Sequence, residues 1–149
     1  MGTKELLDKT CKKTLDYNLC VSSLRSNSQS WDADVQGLAG IMANITLSNA
    51  TDTLNYIQVK VNQTTDPKLE RSLAYCAEVY IPVVQYILPQ AIIALNSGRY
   101  GFAKYGISDA ADEVDSCKGL KESPLTDRNQ LVQRLCGVTV AMVDALLKK

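Results

Sequence analysis

Five cysteines and no histidine stand in the 149 residues of this chain, and that combination limits its chemistry before any element is placed. Without histidine there is no Ser-His or Cys-His pair, and a thiol with no evident base is a poor catalytic nucleophile. The cysteines, Cys11, Cys20, Cys76, Cys117 and Cys136, lack the two-to-four-residue spacing of zinc ligands, so disulfides are expected rather than a metal. Asp109, Asp112, Glu113 and Asp115 crowd together, and the first three would share a helix face. A di-metal bundle would need Glu-x-x-His motifs, and none occurs. The cluster therefore reads as a solvated acidic face near a helix start, where the dipole favours anions. Asp32-Ala33-Asp34-Val35-Gln36-Gly37 resembles the opening of a calcium loop, but Ala43 stands where the bidentate glutamate belongs. Neither an enzyme, a cofactor nor a metal is expected.

The elements that would carry these residues are helical. Leu69, Leu73, Cys76, Tyr80, Val83 and Ile87 recur at steps of three and four, which puts them on one face of a helix over 66–95. Asp66-Pro67 supplies its start, since a first-turn proline loses no intrahelical bond. Pro82 and Pro89 each remove a donor within it, at roughly 3 kcal/mol if nothing relaxes, and predict a bend rather than two helices. Before it, Val35, Leu38, Met42, Ile45, Leu54, Ile57 and Val61 form the stripe of a long helix from Ser30 to about Val61, interrupted by polar Asn49. After it, Asn96-Ser97-Gly98-Arg99 is turn chemistry with Gly98 as a helix C-cap. A third helix is expected from Gly101 to Leu120 on Ala103, Ile107, Ala110, Val114 and Cys117, then a break at Ser123-Pro124-Leu125-Thr126. A fourth follows on Leu131, Leu135, Val138, Met142, Ala145 and Leu146.

Ahead of these, Leu6–Lys13 and Leu19–Ser26 read as short helices, with Cys11 and Cys20 near their turn. A bridge there would staple a hairpin, at about 3 kcal/mol or less for so short a loop. Cys76 and Cys117 would lie on facing, sequence-adjacent helices, where a second bridge is geometrically possible. Cys136 then remains a free thiol, read as a small buried hydrophobe. The fold class is thus all-α: one domain over 1–149, an amino-terminal helical hairpin over about 6–28 and an up-down-up-down four-helix bundle over about 30–148.

Sixteen basic and sixteen acidic residues cancel, leaving no field to hold nucleic acid or an anionic membrane. No apolar run suggests a membrane span or an amino-terminal signal. Asn44-Ile45-Thr46, Asn49-Ala50-Thr51 and Asn62-Gln63-Thr64 are glycosylation sequons which, with the cysteines, favour export. A binding protein remains by elimination, and it is expected to be a monomer. A small-ligand carrier is a competing reading, and a wall-binding structural protein ranks below it, for want of a basic stripe to meet an acidic polymer.

Cys11 and Cys20 around Thr-Leu-Asp-Tyr-Asn, Ala33-Asp34-Val35-Gln36-Gly37-Leu38, Asp66-Pro67-Lys68-Leu69, Cys76, and Gly106-Ile107-Ser108-Asp109-Ala110-Ala111 before Cys117 resemble the plant invertase and pectin methylesterase inhibitor family, over about Leu6 to Leu147. The resemblance implies bridges Cys11–Cys20 and Cys76–Cys117. It also implies a protein secreted to the cell wall or sent to the vacuole that blocks the active-site cleft of a plant carbohydrate-active enzyme. In the invertase branch a Pro-Lys-Phe motif between the second and third bundle helices enters the cleft; here Tyr100-Gly101-Phe102 stands there, and only Phe102 matches. Arg99 and Lys104 flank it, so Arg99, Tyr100, Gly101, Phe102 and Lys104 are the expected target-binding residues. Leu88-Pro89-Gln90-Ala91-Ile92 and Ser123-Pro124-Leu125 also resemble the invertase branch. Leu135-Cys136-Gly137 and Asp66-Pro67-Lys68-Leu69 look more like pectin methylesterase inhibitors, whose contacts spread over helical faces. Acid invertase is the expected target and pectin methylesterase the alternative.

Overall fold

The computed structural model describes residues 3–117 and 123–148. Its helices are α1 (Thr3–Lys12), α2 (Tyr17–Arg25), α3 (Val35–Gln63), α4 (Pro67–Pro82), α5 (Leu88–Asn96), α6 (Tyr100–Asp115) and α7 (Ser123–Leu147). Helix α3, the joined α4–α5 rod, α6 and α7 form the four-helix bundle, and α1 with α2 forms the hairpin. Among the described residues there is no strand.

The long first bundle helix begins at Val35 rather than Ser30. Asn27 accepts from the Gln29 amide and starts a separate 3-10 turn, Ser28–Asp32, and Asp34 accepts from the Gly37 amide at 2.8 Å to open α3. Its stripe does not break at Asn49. Thr46, Ala50 and Thr53 are buried between Met42 and Leu54, and Thr46 meets Thr139 of α7 through a buried hydroxyl pair at 3.2 Å. Both hydroxyls also bond their own helix four residues back, so the polar atoms are satisfied inside the core.

Pro67 to Asn96 stays helical, with a π turn, Val83–Ile87, between the two inner prolines. The Leu88 amide reaches back to the Val83 carbonyl, and this wider ring gives the Pro89 side chain room where an α turn would clash. The buried series accordingly runs Leu73, Cys76, Tyr80, Val83 and then Leu88, Ala91, Leu95. The step from Val83 to Leu88 replaces the expected Ile87, which is only half-buried. Each fully buried leucine in this core contributes about 1.5–3 kcal/mol. The segments 67–96 and 125–147 are long and apolar enough to cross a membrane by composition. Here their stripes pack into the bundle instead.

The third helix ends at Asp115 instead of Leu120, with Ser116 at its C-cap; the rest of that expectation, from Lys118 on, lies outside the described residues. Because α6 starts at Tyr100, the acidic cluster sits in its last turns, where the dipole disfavours anions. That corrects its expected place near a helix start. Asp115 instead accepts from the Gln133 side chain at 2.8 Å. Ser123 and Pro124 open α7 rather than break the chain, as a first-turn proline allows.

Cys11 and Cys20 are bonded with Cα atoms 5.5 Å apart, and Cys76 and Cys117 with Cα atoms 5.2 Å apart. Cys136 is free and buried. Beside the second bridge, Tyr80 of α4 donates to Asn129 of α7, which donates to the Val114 carbonyl of α6 at 3.1 Å, tying three helices. The hairpin docks through Arg134, which donates twice to Asp16, at 2.8 and 3.1 Å.

Candidate functional site

The α5–α6 turn is closed by its backbone. The Gly98 amide donates to Leu95 and the Arg99 amide to Ala94, at 3.2 and 2.8 Å. Gly98 adopts φ +77°, the left-handed value that favours glycine there. Eight residues on, Gly106 lets α6 lie against α5, since a Cβ there would stand 3.0 Å from that of Ala91. At the same end the Gln36 side chain of α3 donates to the Leu95 carbonyl at 3.0 Å and fixes the C-terminus of α5.

So close a pair presents its outer faces as one surface. Phe102 is 72% exposed, Tyr105 74%, Tyr86 63% and Ile93 52%, far above what a packed aromatic or isoleucine shows. Between the helices runs a groove of about 370 Å³, walled by Tyr86, Gln90, Arg99, Phe102, Tyr105 and Asp109 over a floor that includes Ala91 and Gly106. Rings on a rigid helix pair can bury large area in a partner with little ordering cost, and Arg99 adds a cation beside them.

Of the five expected contact residues, Arg99 and Phe102 share this groove. Gly101 is exposed with open space around it. Tyr100 turns inward and packs half-buried against the core, and so does not stand out as a cleft plug would. Lys104 points the other way and pairs with Asp144 of α7 at 2.8 Å. The hydrogen bond from Lys104, followed by that from Lys148, holds the Asp144 carboxyl below its usual range. The cause is helical geometry: positions 102, 105 and 109 share one face, and 100, 104 and 107 lie on another. Tyr86, Gln90, Tyr105 and Asp109 are the residues missed. Rings at 86, 102 and 105, set off from the apolar stripes, were the available signal.

Elsewhere several titratable groups are shifted by burial or by a neighbour. Burial pushes the Cys136 thiol up to about 12, so it stays protonated and packs as a hydrophobe. Burial, and after it the neighbouring Cys136, raises the Tyr80 phenol. Hydrogen bonds from Tyr17 and then Lys12 lower Asp8, and the bond from Arg134 lowers Asp16. Among the described residues no group of three His, Cys, Asp or Glu is placed to hold a metal ion. The sequon asparagines all lie in α3: Asn44 and Asn62 are exposed, and Asn49 is half-buried with its amide on the Ile45 carbonyl at 2.9 Å.

The model of the plant invertase/pectin methylesterase inhibitor family matches residues 5–142. The chain is 36% identical to the cell wall / vacuolar inhibitor of fructosidase 1 of Arabidopsis thaliana, over 92% of this chain and 67% of that protein. It is 33% identical to inhibitor of fructosidase 2 of the same plant, over 99% and 86%. To the pectinesterase inhibitor of Actinidia deliciosa it is 31% identical, over 95% and 79%. A crystal structure of a pectin methylesterase inhibitor from Arabidopsis thaliana superposes with TM-score 0.73 at 26% identity, covering 98% of each chain. These matches agree with the all-helical, twice-bridged bundle, and the chain belongs to the plant invertase/pectin methylesterase inhibitor family, whose members are enzyme inhibitors and not enzymes.

Proposed function

We propose that the protein is a secreted, monomeric inhibitor of an acid invertase, acting in the cell wall or vacuole by seating its α5–α6 aromatic surface in the enzyme's cleft. The observation that carries this reading is Phe102, 72% exposed at the end of the bundle with Arg99 beside it. A glycoside-cleaving cleft characteristically holds two carboxylates and is shaped for sugar rings. A phenyl ring can fill a sugar position while a guanidinium meets the carboxylates, and neither offers a bond to cleave. The greater identity to fructosidase inhibitors, 36% and 33%, against 31% for the pectinesterase inhibitor, supports this choice of target.

Pectin methylesterase is the second reading, favoured by the unpaired, buried Cys136 and by the likeness to a pectin methylesterase inhibitor structure. Titrating the oxidised protein into a plant acid invertase and, separately, a pectin methylesterase near pH 5.5 distinguishes them. Loss of invertase activity alone is the expected result. Loss of esterase activity alone would move the contact to the helical faces, and loss of neither would remove the inhibitor reading for both enzymes.

A further inference from the structure

The opposite end of the bundle, where α3 turns into α4 beside the start of α7, holds a second concave site. Its cavity, of about 210 Å³, is lined by Tyr56, Lys60, Gln63 and Thr64 over Leu69, Leu73 and Leu125. Two cations converge on one ring there: Lys60 Nζ lies 5.6 Å and the Arg128 guanidinium 4.6 Å from the centroid of Tyr56. Helical spacing enforces this, since Lys60 follows Tyr56 by one turn and Arg128 follows Leu125 by three residues.

The ring neutralises neither charge, and its attraction for each exposed cation is only about 0.5–1 kcal/mol. No carboxylate lines the cavity, and neither Lys60 nor Arg128 forms an ion pair among the described residues. Asp66, close by in sequence, directs Oδ1 to the Lys68 amide at 3.0 Å as the cap of α4. An anion placed beside Tyr56 would be drawn to both cations, the three leucines would take an apolar body, and Gln63 and Thr64 could bond its oxygens. The volume is below the roughly 300–1,000 Å³ of drug-sized sites, which limits the occupant to about one ring.

We propose that this end of the protein binds a small carboxylate carried on an apolar ring, of the aromatic-acid class, with Lys60 and Arg128 receiving the carboxylate and Leu69, Leu73 and Leu125 the ring. The site is separate from the target-binding surface, and the proposal does not depend on which enzyme is inhibited.

The test is a backbone-amide NMR titration of the oxidised full chain with benzoate, with benzyl alcohol and inorganic phosphate as comparison probes. Benzoate should shift the Lys60, Thr64 and Leu69 amides saturably. Benzyl alcohol should bind at least about tenfold more weakly, as expected from losing a hydrogen-bonded charge. The double variant Lys60→Gln, Arg128→Gln should weaken benzoate similarly at an unchanged melting temperature, since both side chains are exposed. Equal binding of benzyl alcohol, equal binding of phosphate, shifts centred on other residues, or no saturation up to the solubility of benzoate would each overturn the proposal.

Discussion

At one end of the bundle Phe102, Tyr105 and Tyr86 stand out into solvent; at the other, Tyr56 is half-buried beneath two cations. Both ends are short turns between antiparallel helices, so the difference comes from what flanks the rings. Gly106 lets α5 and α6 approach closely, and the rings of Tyr86, Phe102 and Tyr105 stand out from that paired surface. At the α3–α4 turn, Lys60 and Arg128 have long stems that fold over the aromatic face. The first arrangement is a firm ridge suited to a protein cleft, and the second is a cup suited to a small molecule. Crosslinking also differs: Cys11–Cys20 closes the hairpin over 9 residues, whereas Cys76–Cys117 ties α4 to the end of α6 over 41.

The largest test of this contrast removes a bridge. Replacing Cys76 and Cys117 by serine should cost about 4 kcal/mol, from the longer loop released, and lower the melting temperature by roughly 10 °C. Replacing Cys11 and Cys20 should cost less, about 3 kcal/mol or under. Equal losses would show that the two ends are held alike. Next, Phe102→Ala should weaken invertase inhibition by about 1–2 kcal/mol without changing the unfolding midpoint; unaltered potency would detach the ridge from function. Gly106→Ala would set a Cβ 3.0 Å from Ala91 and spread α5 from α6. Crowding outweighs the gain in helix propensity, for a net loss of about 1 kcal/mol in urea unfolding, and a more stable variant would contradict the close approach. Lys104→Ala should change inhibition by less than about 0.5 kcal/mol, because Lys104 pairs with half-buried Asp144 of α7 and does not line the groove. A tenfold loss would return Lys104 to the contact.

The smallest effect is in pH. Asp16, lowered by Arg134, and Asp144, lowered by Lys104 and Lys148, have folded values beneath the ordinary 3.8. Their stabilising contributions are present above that value and fade as pH falls through the lowered ones. The melting temperature should therefore hold from pH 7 to about 5 and drop only below about 4. A fall already at pH 5.5 would point to a different titrating group.

Most of the architecture was legible in the sequence because its stripes are strong. Ala103, Ile107, Ala110 and Val114 are all fully buried as expected. The stripe of α3 was harder, because Thr46 and Thr53 look polar until their hydroxyls are seen bonded inside the core. Boundaries depended on caps: Asn27 opens the 3-10 turn and Asp34 opens α3, and a continuous apolar pattern hides that. In the candidate site the turn could be read from Gly98, whereas the direction of each side chain could not. Tyr100 and Phe102 are two residues apart, which on a helix places them on different faces; the helix was expected from Gly101 and begins at Tyr100, yet the contact was read as a loop motif in which both rings point outward.

The π turn at Val83–Ile87 bears on this surface in one more way. It amounts to one residue inserted into an α-helix, and each residue advances the helix by about 100°. Everything downstream, including Gln90, Ala91 and Ile93, is therefore rotated by that angle relative to Leu73 and Tyr80. Deleting Val84 or Gln85 would reset that phase and swing Gln90 away from Phe102 while leaving every wall residue unchanged in kind, and it would return the Pro89 ring to the clash of an α turn. The phase of the groove is thus set by a count of residues, and two chains with the same side chains but different counts would present different surfaces.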